Sequence, residues 1–162
     1  MKAIVLTKDG DPGFLQLKEV KKPTPRDHEV LVKLHAVSIN SWDWEILKGT
    51  PFLNRLSFGL FKPTRMQILG CDIAGHIEAI GSEVKHLKPG DEVFGDLSHN
   101  HWGGFAEYVA APEKALTKKP SSLSFEQAAA IPQAGLLALQ GLRDKGNVQP
   151  GQKVLINGDS GG

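Results

Sequence analysis

Three parts of this chain carry residue types able to do chemistry. The first is "INSWD", which sets Asn40, Trp42 and Asp43 together. The second is "GCD", which holds Cys71, the single cysteine. The third is the terminal "KVLINGDSGG", residues 153–162, which supports two incompatible chemistries. As a nucleophile loop, Ser160 needs a histidine base and a buried aspartate to orient that base. The six histidines are His28, His35, His76, His86, His99 and His101. None lies in the small-residue segment, closed by a disulfide cysteine, that a serine protease of this kind uses. One cysteine also excludes any intrachain disulfide. The other chemistry is a buried strand over 153–157 running into a glycine turn, whose amides would cradle a phosphate. That reading is the one retained. A metal centre is not expected. Zinc wants three or four convergent nitrogen or sulfur ligands, whereas the histidines are scattered and His99-Asn100-His101 reads as a solvated loop.

The elements that must position these residues change character along the chain. Short β-rich runs separated by glycine and proline fill the first 120 or so residues. Strands are expected over Lys2–Leu6, Leu15–Val20, 28–40, 74–81, 91–96 and 103–112. Within 28–40, Val30, Val32 and Leu34 share one face. Many short strands of this kind point to a barrel or a sandwich. From Ser124 the texture becomes helical. Ser124 and Gln127 have capping-box spacing. Pro132 splits the run into a short helix and a longer one over about 133–145, and Gly146 stands where a left-handed terminating residue belongs.

Composition narrows the function classes. The chain has 162 residues, 40% of them hydrophobic and 23% charged, with net charge +1. A chain this long can bury a core without staples. The near-neutral charge argues against nucleic acid as the main partner, because phosphate backbones select basic surfaces. No apolar run approaches the ~20 residues of a membrane helix. With no secretory pattern at the start and one cysteine, a cytoplasmic setting is expected.

Six segments in order resemble one family: "VLVKLHAVSINSWDWEILKG" (30–49), "LGCDIAGHIEAIGSEV" (69–84), "KPGDEVFG" (88–95), "GGFAEYV" (103–109), "AAAIPQAGLLALQGL" (128–142) and "VQPGQKVLINGDSGG" (148–162). The set resembles the medium-chain dehydrogenase/reductase superfamily, in its zinc-independent quinone oxidoreductase branch. The resemblance implies a mainly β fold with some α: a chaperonin-10-like β-barrel over 1–123, then over 124–162 the first helix and strand of a truncated Rossmann domain. It implies hydride transfer from NADPH to a quinone or an activated alkene. Zinc enzymes of the superfamily place a cysteine in the segment matching "INSWD" and a histidine in the one matching "GCD"; here Asn40-Ser41-Trp42 and Cys71 stand there. By resemblance, Asn40, Gly158, Ser160, Gly161 and Gly162 bind cofactor, and Trp42 and Asp43 border the substrate. From the residues alone, Trp42 reads equally as a packing aromatic and Asp43 as the start of a helix over 43–48. No catalytic side chain and no proton donor are named; the single tyrosine, Tyr108, reads as structural.

The pattern departs from the family at the cofactor loop. Gly158 and Gly161 supply two of its three glycines, and Gly162 precedes the place of the third. Asp159 stands where an alanine is usual. A carboxylate ~5 Å from a phosphate would cost about 3 kcal/mol per unit charge at a dielectric near 20. Leu137 stands where many relatives carry a threonine. The 162 residues by themselves are therefore expected to be inactive, to bind no NADP and to associate through uncovered apolar surface. The alternative is a non-catalytic barrel that serves as a binding or scaffold module.

Overall fold

The computed structural model describes residues 1–8, 10–49 and 68–158. Two antiparallel sheets make up the body. Strands β1 (Lys2–Leu6) and β2 (Leu15–Glu19) pair with Leu6 opposite Leu15 and Lys2 opposite Glu19. The second sheet has five strands in the order β6-β3-β4-β5-β7. They are β3 (Glu29–Val37), β4 (Asp72–Ile80), β5 (Glu92–Asp96), β6 (Tyr108–Pro112) and β7 (Leu116–Lys118). A bridge between Ala3 and Ala106 joins the sheets, and the Ile4 amide donates to the Phe105 carbonyl at 2.8 Å. The result is the partly open barrel expected.

The barrel interior is Val30, Val32, Ile73, Ile77, Leu87, Val93, Leu97, Val109 and Ala111. Val30 and Val32 are fully buried and Leu34 packs against them, as the alternation in β3 requires. Along β4, however, Asp72, Ile73, Ala74 and Gly75 are all buried. One face of β4 lines the interior. The other lies under α2 (Phe125–Ala129), where Ala74 meets Ala128 and Ala129. Burial on both faces is what removes the polar half of a strand's alternation.

A second cluster holds the site end of the barrel. Leu6, Ile46, Leu47, Leu69, Cys71 and Trp102 pack together there. The 103–112 strand is shorter than expected because its first residues serve that end. The amides of Gly104 and Phe105 donate to the carbonyls of Gly70 and Leu69, each at 2.8 Å. This approach needs glycine on both sides. A Cβ on Gly104 would lie 2.8 Å from the Gly70 carbonyl oxygen, and Gly70 has φ +87°.

Helix α2 has the expected cap, with Ser124 Oγ accepting from the Gln127 amide. Pro132 opens α3 (Pro132–Leu139), which runs on as a wider π-helical stretch over Gln140–Lys145. Gly146 is right-handed (φ −78°); the left-handed position is Asn147, at φ +45°. The buried strand expected over 153–157 does not form. Residues 153–156 have no sheet partner among the described residues, and Leu155 is 93% exposed. A parallel-sheet strand is stable only between neighbours that satisfy its backbone and cover its side chains. Here Val154, Leu155 and Ile156 face solvent, as do Leu136, Leu137 and Leu139 on α3.

Candidate functional site

The site is built where β3 ends, β4 begins and α1 (Ser41–Lys48) starts. Asn40 caps α1. Its backbone amide donates to Asp43 Oδ2 at 2.8 Å, and Asp43 Oδ1 accepts from the Gly70 amide at 2.8 Å. Asp43 is 4% exposed, so both its oxygens are committed to backbone. Of its two sequence readings, the helix-start role is the one visible in the geometry. Burial pushes its carboxyl above the usual range, and the two amides pull it back. One side chain thus ties the helix start to the turn that presents Cys71.

The Asn40 side chain then points across this joint. Its Nδ2 donates to Ser38 Oγ at 3.3 Å and approaches Cys71 Sγ at 3.4 Å. The two segments singled out in the sequence therefore converge. Trp42, one turn-position away, is 45% exposed, and Ile39 is 81% exposed. Both offer apolar surface to solvent beside Asn40.

Behind Cys71 lies a group that the sequence reading missed. Asp72 is 1% exposed and accepts from the Gln133 amide at 3.0 Å, through Oδ2. Among the described residues its Oδ1 has no partner, and neither has the buried Gln133 Oε1. Asp96 is the strand partner of Asp72. Burial raises the Asp72 carboxyl to about 6, with Asp96 adding to the effect and the Gln133 amide opposing it. Burial likewise pushes the Cys71 thiol to about 12, aided by Asp72, Asp43 and Asp96. No local signal marks Gln133, because its backbone amide makes the contact.

This arrangement has definite chemical limits. A thiol held at about 12 stays protonated, so Cys71 is no nucleophile at neutral pH. A buried carboxyl at about 6 can hold or release a proton near neutrality. Among the described residues, Cys71, Asp72 and Asp96 are the one group whose ligand atoms lie within 4.8 Å of one another. The cluster supplies one sulfur and two carboxylates and no imidazole. Beside Asp96, an open cleft of about 590 Å³ runs between β5 and α3, lined by Phe94, Leu116, Ile131, Pro132, Leu136 and Leu139 among others.

Two buried acceptors, Asp72 Oδ1 and Gln133 Oε1, lack a hydrogen-bond donor among the described residues, and a carboxamide NH2 group brought against them would satisfy both. At the phosphate end, Gly158 has the left-handed turn conformation, φ +77°. Ser160, Gly161 and Gly162, expected to complete that turn, lie outside the described residues.

Residues 26–121 match the alcohol dehydrogenase GroES-like domain family. The chain is similar to a chloroplast envelope quinone oxidoreductase homolog of Arabidopsis thaliana, 40% identical over 94% of this chain and 46% of that one. It is 37% identical to the Homo sapiens quinone oxidoreductase, over 100% of this chain and 46% of the relative. Among solved structures, a Coxiella burnetii quinone oxidoreductase superposes with TM-score 0.81 at 35% identity, over 93% of this chain and 46% of that one. An Escherichia coli quinone oxidoreductase complexed with NADPH gives TM-score 0.75 at 31% identity, over 88% and 40% respectively. The chain spans a little under half the length of the curated relatives it matches. Strand order, the Asn40–Cys71 corner and these similarities agree: the chain belongs to the alcohol dehydrogenase GroES-like domain family, within the quinone oxidoreductase branch of the medium-chain dehydrogenase/reductase superfamily.

Proposed function

We propose that this chain is the barrel side of an NADPH-dependent reductase of quinones or activated alkenes, and that residues 1–123 form its catalytic barrel while 124–162 open its cofactor domain. The observation that carries the reading is the Asn40–Cys71–Asp72 corner. It joins an oriented amide, a silent thiol and a buried carboxyl beside an apolar cleft. Hydride donation is the chemistry that a bound NADPH would supply.

What this chain adds is placement and a proton. Asn40, fixed through Ser38 and Cys71, is an amide held in one orientation, which we assign to the cofactor. Trp42 and Ile39 give a flat acceptor apolar surface. Asp72, whose carboxyl burial raises to about 6, takes up a proton as the pH falls to that value, where the sequence named no donor. Such positioning by preset groups accounts for much of the rate in reactions that need no protein nucleophile.

By themselves the 162 residues are inactive and associate through Leu136, Leu137 and Leu155, and a cytoplasmic setting fits the single cysteine. The test is to supply the C-terminal portion of a quinone oxidoreductase relative in trans and to follow NADPH oxidation with a small benzoquinone. Oxidation that requires both pieces is expected. A folded complex that oxidises NADPH with no quinone or enone would overturn the reading.

A further inference from the structure

Outside the cleft, we propose that His35 and His76 form a two-imidazole binding site for a divalent transition-metal ion that favours cis ligands near 90°, namely Cu²⁺ or Ni²⁺. The two rings come from different strands, 41 positions apart, yet His35 Nε2 and His76 Nδ1 face each other at 2.8 Å. The pairing is invisible along the chain, because it depends on how β3 and β4 register.

A bulge makes the pairing. Lys33 lies opposite His76 and Leu34 opposite Gly75, but Ala36 lies opposite Ala74, leaving His35 as the extra residue. A bulge of this kind re-aims the side chain it carries. The His35 ring is then held flat on Phe125, with centroids 4.3 Å apart and planes 14° from parallel. Phe125 is the first residue of α2 and is itself fixed by the Ser124–Gln127 cap. One ligand is therefore preset by strand geometry and stacking. The other sits on β4, half-buried. His35 is exposed, so an ion can reach the pair from solvent.

The donor atoms match the ion. A metal at about 2.0–2.1 Å from each nitrogen sets those nitrogens about 2.9 Å apart for a right-angled pair, and about 3.4 Å apart for a tetrahedral one. The observed 2.8 Å is the length of the hydrogen bond between the two rings, which a small turn of either ring opens to admit an ion; among divalent first-row ions imidazole ligands hold Cu²⁺ most tightly, with Ni²⁺ next below it in the rising series. In the hydrogen-bonded pair, one proton lies between the facing nitrogens. To bind an ion, both rings carry their proton on the outer nitrogen, His35 Nδ1 and His76 Nε2, so neutral rings release no net proton. Charges nearby are mixed. Lys33 stands opposite His76 on one side and Glu92 on the other, with Glu92 already paired to Lys119 at 3.0 Å. Glu126 on α2 is held below the usual carboxylate range, by Ser124 first and in smaller part by His35.

The experiment titrates Cu²⁺ into the untagged chain, read by calorimetry and by electron paramagnetic resonance. Wild type is expected to bind one Cu²⁺ with two equatorial nitrogens. Either His35→Gln or His76→Gln should weaken that site on the order of 100-fold, since a preplaced second ligand acts at high effective concentration. His99→Gln and His101→Gln should leave it unchanged. Cu²⁺ should raise the melting temperature of wild type and not of the two site variants. A structural pair alone would lower the melting temperature in the variants and leave Cu²⁺ affinity untouched. That result, or a copper signal that follows His99 and His101, would overturn the proposal.

Discussion

The side-chain amide of Asn40 lies 3.4 Å from the thiol of Cys71. In zinc enzymes of the superfamily these two segments carry metal ligands. Here they carry an amide and a protonated thiol, and a weak N–H···S contact joins them. Everything that fixes Asn40 bears on the proposed chemistry.

Asp43 is the first such support. Its carboxylate satisfies the amides of Asn40 and Gly70 from a nearly buried position. Hydrogen bonds to a charged group are worth about 1.5–3 kcal/mol each. Asp43→Ala should therefore lower unfolding free energy by about 3 kcal/mol in urea titrations, and Asp43→Asn by less. An alanine variant as stable as wild type would show that the two amides find other partners.

The Asp72 carboxyl sets a pH dependence. Folding raises it from an ordinary 3.8 to about 6. Between these values the folded state binds more protons than the unfolded one, so stability falls as pH rises from about 4 to about 6. At ~1.4 kcal/mol per unit, the loss approaches roughly 3 kcal/mol and is complete above that window. Asp72→Asn, which keeps an acceptor for Gln133, should flatten this limb and be more stable than wild type near neutrality. Melting temperatures across the window check it; an unchanged slope in the variant would assign the limb elsewhere.

Gly70 and Gly104 should resist substitution. Gly70→Ala forces an L-residue to φ +87° and sets a Cβ 2.7 Å from the Phe105 ring. Strain in this region costs of order 1–3 kcal/mol before any clash. Denaturant midpoints should fall for this variant more than for Gly90→Ala, whose added Cβ would meet nothing within 4 Å although its φ is also positive. Equal losses at the two positions would mean that backbone strain alone matters.

Self-association of the isolated chain should depend on its uncovered leucines. Leu155 is 93% exposed, and Leu136 and Leu137 are each 50% exposed. Leu155→Lys combined with Leu136→Gln should shift sedimentation towards the monomer. A wild-type chain that is already monomeric at high concentration would contradict the proposed association.

Local signals carried the barrel into view and failed elsewhere for reasons of context. β3 was legible because Val30, Val32 and Leu34 share the core face, although Leu31 on the other face is buried as well. The early start of β4 at Asp72 was hidden, because α2 covers its second face and erases the alternation. The 153–156 run has the composition of a buried strand, yet composition does not provide neighbouring strands. At the site, Asn40 and Cys71 could be singled out from their segments. Asp72 and Gln133 could not, because their meeting depends on α3 docking against the start of β4, 61 positions away in the chain.

The most direct measurement is the effect of Asn40→Ala on kcat/KM for quinone reduction, in the enzyme reassembled from this chain and a relative's C-terminal portion. Loss of a positioning group at the reacting face costs about 100-fold. The expected result is a fall of that size, with the melting temperature lowered only modestly by loss of the helix cap and of the contacts to Ser38 and Cys71. An alanine variant that reduces quinones as fast as wild type would contradict the placement of Asn40 in the cleft.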